Sequence, residues 1–394
     1  MLKKLLFLFV LLLALYGCAA AEVAPELTSK CKCTAGAGRG SFSDCRDNNY
    51  KTYWKGGSGK NGWVEVTAPE GKPVSLVYIQ WDEFPMPWQV QVKDESGNWA
   101  TVAKSGDICY NDSIRLPEPA GQVRICLSDD AKGSMDVAEL HLYGEGDCPA
   151  NVQKWLPSVE KAELMVVVAH PDDEVLWMGG TLPYYAGQEG RDTVVCMLVP
   201  TMPYRRIELL DCLWTCGVRT YPVWGKFPDA YSSTLSDQYK HWNEETLYKL
   251  ITGWYRRFKP DVVVTHDKRG EYGHGAHKAC FDACTKALKF AANEKKYPDS
   301  AREYGTWDVP KLYVHLWGEN TVDMDWRQPL DFFDGKTAFD VACEAFRCHR
   351  SQQKTDYHVE DWGRYDCSLF GLYRSLVGDD TEKLDFFENI GSLP

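Results

Sequence analysis

Two short apolar runs, each leading into a cluster of histidine and carboxylate residues, constrain the fold of this chain more than any other feature. The first run occupies positions 164–168 and leads into Ala169-His-Pro-Asp-Asp-Glu174. The second occupies positions 261–265 and is followed by the pair His274 and His277. Runs of β-branched residues without polar alternation are typical of strands that are buried on both faces. Both runs therefore predict central strands of a parallel sheet.

Helical patterns alternate with further strand patterns in the C-terminal part of the chain. Strands are predicted at 192–199 and 311–316 in addition to the two above, and helices at 205–216, 246–258, 277–291 and 337–347. Alternation of this kind predicts right-handed strand–helix–strand units. We therefore expect an α/β domain at 163–394, with a Rossmann-like, mostly parallel sheet and helices on both faces.

The two polar clusters follow strand ends, which is where open α/β sheets bind their ligands. Asp172 and Asp173 can be interpreted as caps of the next helix, because short acceptors suit its free N–H groups. One aspartate would be enough to cap the helix, so the second needs another explanation. Two histidines and one carboxylate with an open fourth position form a catalytic zinc arrangement. The sequence therefore predicts a metal site where the two clusters meet.

The motifs Ala169–Glu174 and Gly273–His277 resemble those of the PIG-L/LmbE-like zinc de-N-acetylase family, and the resemblance covers about residues 163–394. It implies a metal-dependent hydrolase with one Zn²⁺ ion per chain. It also implies a substrate that is an N-acetylated amino sugar in a glycan or glycoconjugate.

The resemblance implies a role for each of five residues. His170, Asp173 and His277 are implied as the metal ligands. Asp172 is implied as the general base, and a protonated His274 as the group that stabilises the tetrahedral intermediate.

One departure from the family pattern concerns the residues between the paired histidines. The family often has Pro-Asp there, whereas this chain has Gly275 and Ala276. Another carboxylate must then orient a histidine, and the sequence offers Asp267 or Glu271.

Two further residues are predicted to contact substrate. Arg205 begins an Arg-x-x-Glu element that resembles the family's own, although the neighbouring Arg206 is an alternative and either can be a surface residue. His266 follows the second strand and is predicted to lie in the pocket, but a histidine at a strand end is more often structural.

The N-terminus predicts export. Two lysines precede an apolar stretch of about a dozen residues, and small residues follow, as in a secretory signal peptide over 1–21. Leu15-Tyr-Gly-Cys18 resembles a bacterial lipoprotein cleavage box. We therefore expect a cell-surface lipoprotein anchored through Cys18. Cleavage at 19–21, which would give a secreted protein, is the alternative.

Residues 22–146 carry short alternating runs separated by Gly, Pro, Asn and Asp, which predicts a β-sandwich. The order of its Trp, Asn and Gly landmarks resembles the discoidin-like, galactose-binding jelly roll, and this resemblance implies a second glycan as ligand. Trp54, Phe84 and Trp88 are the predicted stacking surface, with core tryptophans and no ligand as the alternative. Residues 147–162 are predicted to be a linker.

The net charge of the chain limits the classes of partner that it can bind. The formal net charge of −12 and the pI near 5.3 argue against nucleic acid, because phosphate binding requires a basic face. A membrane is expected only through the lipid anchor. Three functions remain: a zinc deacetylase of an N-acetylated sugar, a zinc amidase of a non-sugar acylated metabolite or glycopeptide, and a non-catalytic glycan-binding protein. The complete set of predicted site residues argues against the third.

Overall fold

A computed structural model describes residues 22–106, 108–200 and 202–392. The predicted signal peptide and Cys18 lie outside this range, so export and lipid anchoring stay predictions. Within the described ranges, none of the helices combines the length and the apolar character that crossing a bilayer requires.

The N-terminal part is built from antiparallel strands. They are β1 (Lys32–Ala35), β2 (Gly38–Arg39), β3 (Trp54–Ser58), β4 (Trp63–Thr67), β5 (Val74–Trp81), β6 (Trp88–Lys93), β7 (Trp99–Lys104), β8 (Asn111–Ala120), β9 (Gln122–Leu127) and β10 (Ser134–Tyr143). One sheet has the order β1-β4-β9-β6-β7 and the other β2-β3-β10-β5-β8. Both sheets contribute to a common core, for example through Val64 and Ile125 of the first and Ile79 and Leu140 of the second. The predicted β-sandwich is therefore present.

Two of the three residues predicted to stack on sugar belong to this core instead. Trp54 and Trp88 are only 2% and 1% exposed, and the Trp88 Nε1–H donates to Asp112 Oδ2 at 2.7 Å. The prediction that they form a carbohydrate surface is wrong, because neither ring presents a face to solvent. Phe84 is 64% exposed on the connection between β5 and β6. Its role as a sugar contact stays a prediction.

The C-terminal part alternates strands and helices. Its strands are β11 (Leu164–Val168), β12 (Thr193–Met197), β13 (Val223–Trp224), β14 (Val262–Thr265), β15 (Lys311–His315), β16 (Thr321–Asp323) and β17 (Leu369–Ser375). Its α-helices are α1 (Asp173–Leu176), α2 (Pro203–Thr215), α3 (Leu235–His241), α4 (Glu244–Phe258), α5 (Gly275–Ala291), α6 (Pro298–Tyr304) and α7 (Ala338–Phe346). A π-helical segment occupies Pro183–Gln188.

The seven-stranded sheet has the order β13-β12-β11-β14-β15-β17-β16. Pairs among its first five strands are parallel, and β17 pairs antiparallel with β15 and β16. Side chains of β11 alternate between two separate cores: Val166 packs on the side of α2 and α7, and Val167 on the side of α4 and α5. Burial on both faces explains the unbroken apolar run. The predicted mixed α/β architecture is confirmed.

The two parts of the chain share a polar contact centred on Asp211 of α2. Its carboxylate accepts hydrogen bonds from the Tyr50 hydroxyl of the sandwich and from Gln153 Nε2, each at 2.7 Å. Burial raises the pKa of Asp211 to about 6, and the bonds from these donors oppose the rise. Gln153 and the buried Trp155 lie within the predicted linker. That segment is packed against both parts of the chain.

Candidate metal centre and catalytic pocket

Strand pairing brings the two predicted clusters together. Val167 of β11 lies beside Thr265 of β14 in a parallel register, so both strands end at the same edge of the sheet. The loop after β11 carries His170, Asp173 is the first residue of α1, and the first turn of α5 carries His277. One ligand atom from each of these three side chains lies within 4.8 Å of the others.

Hydrogen bonding within this triad leaves nitrogen lone pairs free. The Nε2 atoms of His170 and His277 are buried and have no hydrogen-bond partner. His277 Nδ1 lies 2.6 Å from Glu271 Oε2, which fixes the proton on Nδ1 and leaves Nε2 as a potential ligand. Asp173 is held by the His170 backbone N–H at 2.7 Å and by Trp177 Nε1 at 2.8 Å. Two orphaned imidazole nitrogens beside an anchored carboxylate fit a divalent ion such as zinc.

Glu271 is the carboxylate that orients the histidines. Besides His277 it contacts His266 Nδ1 at 3.2 Å and His315 Nδ1 at 3.0 Å, and it accepts the backbone N–H of Asp267 at 2.9 Å. Burial favours a high pKa, but the neighbouring histidines hold the pKa of Glu271 well below its ordinary value. Of the two carboxylates that the sequence offered, Glu271 is therefore the one that contacts the ligand histidine.

His266 lies behind the ligands and does not line the pocket. Its ring is 0% exposed, Nε2 accepts the backbone N–H of Ala169 at 3.1 Å, and Nδ1 faces Glu271. The prediction that His266 contacts substrate is wrong, because both ring nitrogens already have protein partners. His315 is equally buried and supports Glu271 from the neighbouring strand.

Asp172 adopts an unusual backbone conformation beside the triad. Its φ is 124°, a region that non-glycine residues rarely occupy, and its N–H donates to Glu174 Oε2 at 2.8 Å. Glu174 Oε1 in turn lies 2.6 Å from His349 Nε2. This buried pair fixes the peptide that carries Asp172.

The Asp172 side chain is 13% exposed and lies beside Arg205. Arg205 Nη2 donates to Asp172 Oδ2 at 3.1 Å and also contacts the Pro171 carbonyl. Burial raises the pKa of Asp172 to about 7, which the Arg205 charge partly opposes. A carboxylate with its pKa near neutrality is suited to general base chemistry. Arg205 therefore contacts the candidate base as well as the pocket that would hold a substrate.

His274 caps α5 and faces the same space. Its Nδ1 accepts the backbone N–H of Ala276 at 3.1 Å, and its ring centre lies 4.7 Å from that of His170. Burial, together with the neighbouring His170 and His277, lowers the pKa of His274 to about 3. A ring protonated on both nitrogens, as the resemblance implied, could not accept the Ala276 N–H at Nδ1, so this hydrogen bond favours the neutral ring. The neutral ring carries its proton on Nε2 because Nδ1 is an acceptor, so it remains a hydrogen-bond donor.

These groups surround a cavity of about 190 Å³. It is lined by residues that the sequence identified and by others that it did not, namely Leu176, Trp177, Asp229, Tyr272, Gln352, Thr355 and Tyr357. The carboxylate of Asp229 lies 4.0 Å from His170 Nε2 and 4.0 Å from Arg205 Nη1. Asp229 comes from an irregular loop after β13, where no pattern marked it, whereas Gln352 belongs to a His-x-Ser-Gln element that the sequence does contain.

Comparison with known families covers part of the chain. Residues 165–288 match the PIG-L family model, described as GlcNAc-PI de-N-acetylase. This range includes His170, Asp172, Asp173, His274 and His277.

Curated relatives are similar over the same region. The 1D-myo-inositol 2-acetamido-2-deoxy-alpha-D-glucopyranoside deacetylase 1 of Frankia casuarinae is 30% identical over 201 residues, which cover 42% of this chain and 64% of that protein. The enzyme of the same name from Frankia alni is 27% identical over 252 residues, covering 48% and 84%. For the first three relatives, the chain spans only 54–64% of their length.

Two solved structures are similar to portions of the chain. The N,N'-diacetylchitobiose deacetylase of Pyrococcus horikoshii has a TM-score of 0.36 and 18% identity, covering 50% of this chain and 72% of its own. The family 32 carbohydrate-binding module of C. perfringens NanJ, solved with galactose, has a TM-score of 0.25 and 18% identity, covering 30% and 98%.

Proposed function

We propose that this protein is a zinc-dependent hydrolase that removes the acetyl group from an N-acetylated amino sugar in a glycan or glycoconjugate. We further propose that it is exported and either anchored through Cys18 or secreted, and that its sandwich binds a second glycan. The observation that carries the enzymatic proposal is the pair of buried, unpartnered Nε2 atoms of His170 and His277 beside Asp173. The match of residues 165–288 to a de-N-acetylase family supports the choice of an acetamide on a sugar.

His170, Asp173 and His277 would hold the ion, which supplies Lewis-acid activation of a water molecule and of the acetamide carbonyl. Asp172 lines the same cavity and would accept the proton of the attacking water. As the bond between carbonyl carbon and nitrogen breaks, Asp172 would return this proton to the leaving amine. Arg205 keeps the carboxylate in place throughout, since its guanidinium contacts both Asp172 and the preceding carbonyl.

The role of His274 follows from its tautomer. With Nδ1 occupied by the Ala276 N–H, the Nε2–H can donate to the oxygen that becomes negatively charged in the tetrahedral intermediate. His274→Ala is therefore expected to lower kcat about 100- to 1000-fold. Zinc content should stay unchanged, because His274 is not among the three ligands. Measurement of kcat and bound zinc on the same preparation checks this, and loss of zinc in the variant would contradict the assignment.

The direct test of the proposed function combines metal analysis with acetate release. We expect about one zinc ion per chain, loss of activity on chelation, and recovery when zinc is added back. Acetate should be released from N-acetylglucosamine and its oligomers far faster than from N-acetylated amino acids. The chelated protein is the matched control for each substrate.

The alternatives make different predictions in the same assay. Rates of acetate release from N-acetylated amino acids that equal those from the sugars would favour the non-sugar amidase. Failure of the protein to bind zinc at any concentration would contradict the proposal that it is a metal-dependent hydrolase.

A further inference from the structure

The catalytic cavity is too small for more than part of a glycan. Its volume of about 190 Å³ is below the range of roughly 300–1,000 Å³ that is usual for pockets enclosing a whole small molecule. The acetamide and the ring that carries it must therefore fill the space. Any neighbouring sugar has to lie outside, on the surface around the mouth.

One side of that surface carries an exposed aromatic ring. Tyr231 is 69% exposed, among the largest exposures of any apolar or aromatic side chain in the described chain. Its ring meets the ring of His274 edge-on, with centres 5.1 Å apart and planes at 88°. Because His274 lines the cavity, Tyr231 lies next to a cavity residue and on the exposed surface. Most of the Tyr231 side chain is therefore left for solvent or for a ligand.

A second tyrosine lies near the same opening. Tyr357 lines the cavity, and its ring stacks on Tyr272 at 4.6 Å. Tyr357 is thus packed against Tyr272, whereas most of the Tyr231 side chain is exposed.

The position of Tyr231 is anchored although its loop has no regular secondary structure. Asp229, two residues earlier, reaches into the cavity, and the Ser232 carbonyl, one residue later, accepts the backbone N–H of Gly275 at 2.7 Å. Ser232 Oγ also donates to Gln238 Oε1 at 2.7 Å. An exposed ring on a pinned backbone loses little freedom on contact with a ligand, which favours binding.

We infer that Tyr231 forms a second sugar subsite, which binds an uncharged pyranose ring adjacent to the N-acetylated sugar in the cavity. Sugar rings have one apolar face of C–H groups, and an exposed aromatic face supplies matching apolar area with a polar hydroxyl at its rim. This inference rests on the proposed deacetylase function and specifies that its substrate contains at least two sugar rings. Tyr231 acts in it as a specificity-determining residue, with no part in the bond-breaking step.

The test compares N-acetylglucosamine with N,N'-diacetylchitobiose in the full-length, zinc-loaded protein. We expect wild type to prefer the disaccharide about tenfold in kcat/KM, mainly through a lower KM. Such a factor corresponds to about 1.4 kcal/mol. Tyr231→Ala should remove most of this preference and leave kcat/KM on the monosaccharide within about twofold. Tyr231→Phe and Tyr231→Trp should retain the preference, because each keeps an aromatic face.

Tyr53→Ala, which removes a partly exposed tyrosine of the sandwich, is the matched control. It should change kcat/KM on neither substrate. An unchanged disaccharide preference in Tyr231→Ala, or an equal loss on both substrates, would overturn the subsite. So would a wild type that hydrolyses both sugars equally well. Absence of acetate release from either sugar by wild type is a different result, since it contradicts the proposed function itself.

Discussion

Asp172→Asn should lower kcat by about 100- to 10,000-fold while leaving zinc content at the wild-type level. General base catalysis by a positioned side chain typically contributes this factor. Asparagine has the same shape and tolerates positive φ, so the loop that carries position 172 should keep its conformation. What the variant loses is the ability to accept a proton from water. Steady-state kinetics and metal analysis of the same samples measure both quantities.

A surface substitution of the same type provides the control. Asp299→Asn changes an exposed aspartate that pairs with the exposed Arg302, and it should be indistinguishable from wild type. Retention of full activity in Asp172→Asn would rule out this residue as the base. Loss of zinc would instead identify it as a ligand.

Glu271→Gln is expected to weaken zinc binding by about 10- to 100-fold, which is the usual cost of losing a partner that orients a ligand histidine. Glu271 is not one of the three proposed ligands, but its carboxylate accepts hydrogen bonds from His277, His266, His315 and the Asp267 N–H. A glutamine offers one oxygen and turns an N–H₂ group toward donors. Because a buried charge partner is removed, the free energy of unfolding should also fall by about 3 kcal/mol.

Competition with a zinc chelator measures the affinity, and denaturant unfolding measures the stability. Glu245→Gln, which alters an exposed partner of Lys296, is the matched control for both. Wild-type zinc affinity in Glu271→Gln would show that the histidines need no carboxylate behind them.

The sequence predicts the site best where polar clusters directly follow the ends of buried strands. The runs at 164–168 and 261–265 placed two polar clusters at neighbouring positions, because parallel strands in register end together. The helix predicted at 205–216 is observed as Pro203–Thr215, starting two residues earlier because proline suits the first helical turn.

Errors arose where the fold decides which way a side chain points. Alternation in a strand defines two faces without saying which is internal, so Trp54 and Trp88 could be interpreted as exposed when both are buried. His266 follows its strand as a ligand would, but its ring turns under Asp173 and toward Glu271. Asp229 comes from an irregular loop, and only the tertiary structure brings it within 4.0 Å of His170.

Helix α2 gives the sandwich a direct relation to the chemistry. Near its first turn Arg205 holds the candidate base, and at Asp211, about 9 Å further along the axis at the usual rise of α-helices, it accepts the Tyr50 hydroxyl of the sandwich. The sandwich is thus part of the structure that supports the helix carrying Arg205. Exchange of the sandwich for another β-sandwich would remove the Tyr50 donor from Asp211 and uncover the side of α2 that faces β5. The two parts of the chain therefore have to stay together for this contact to persist.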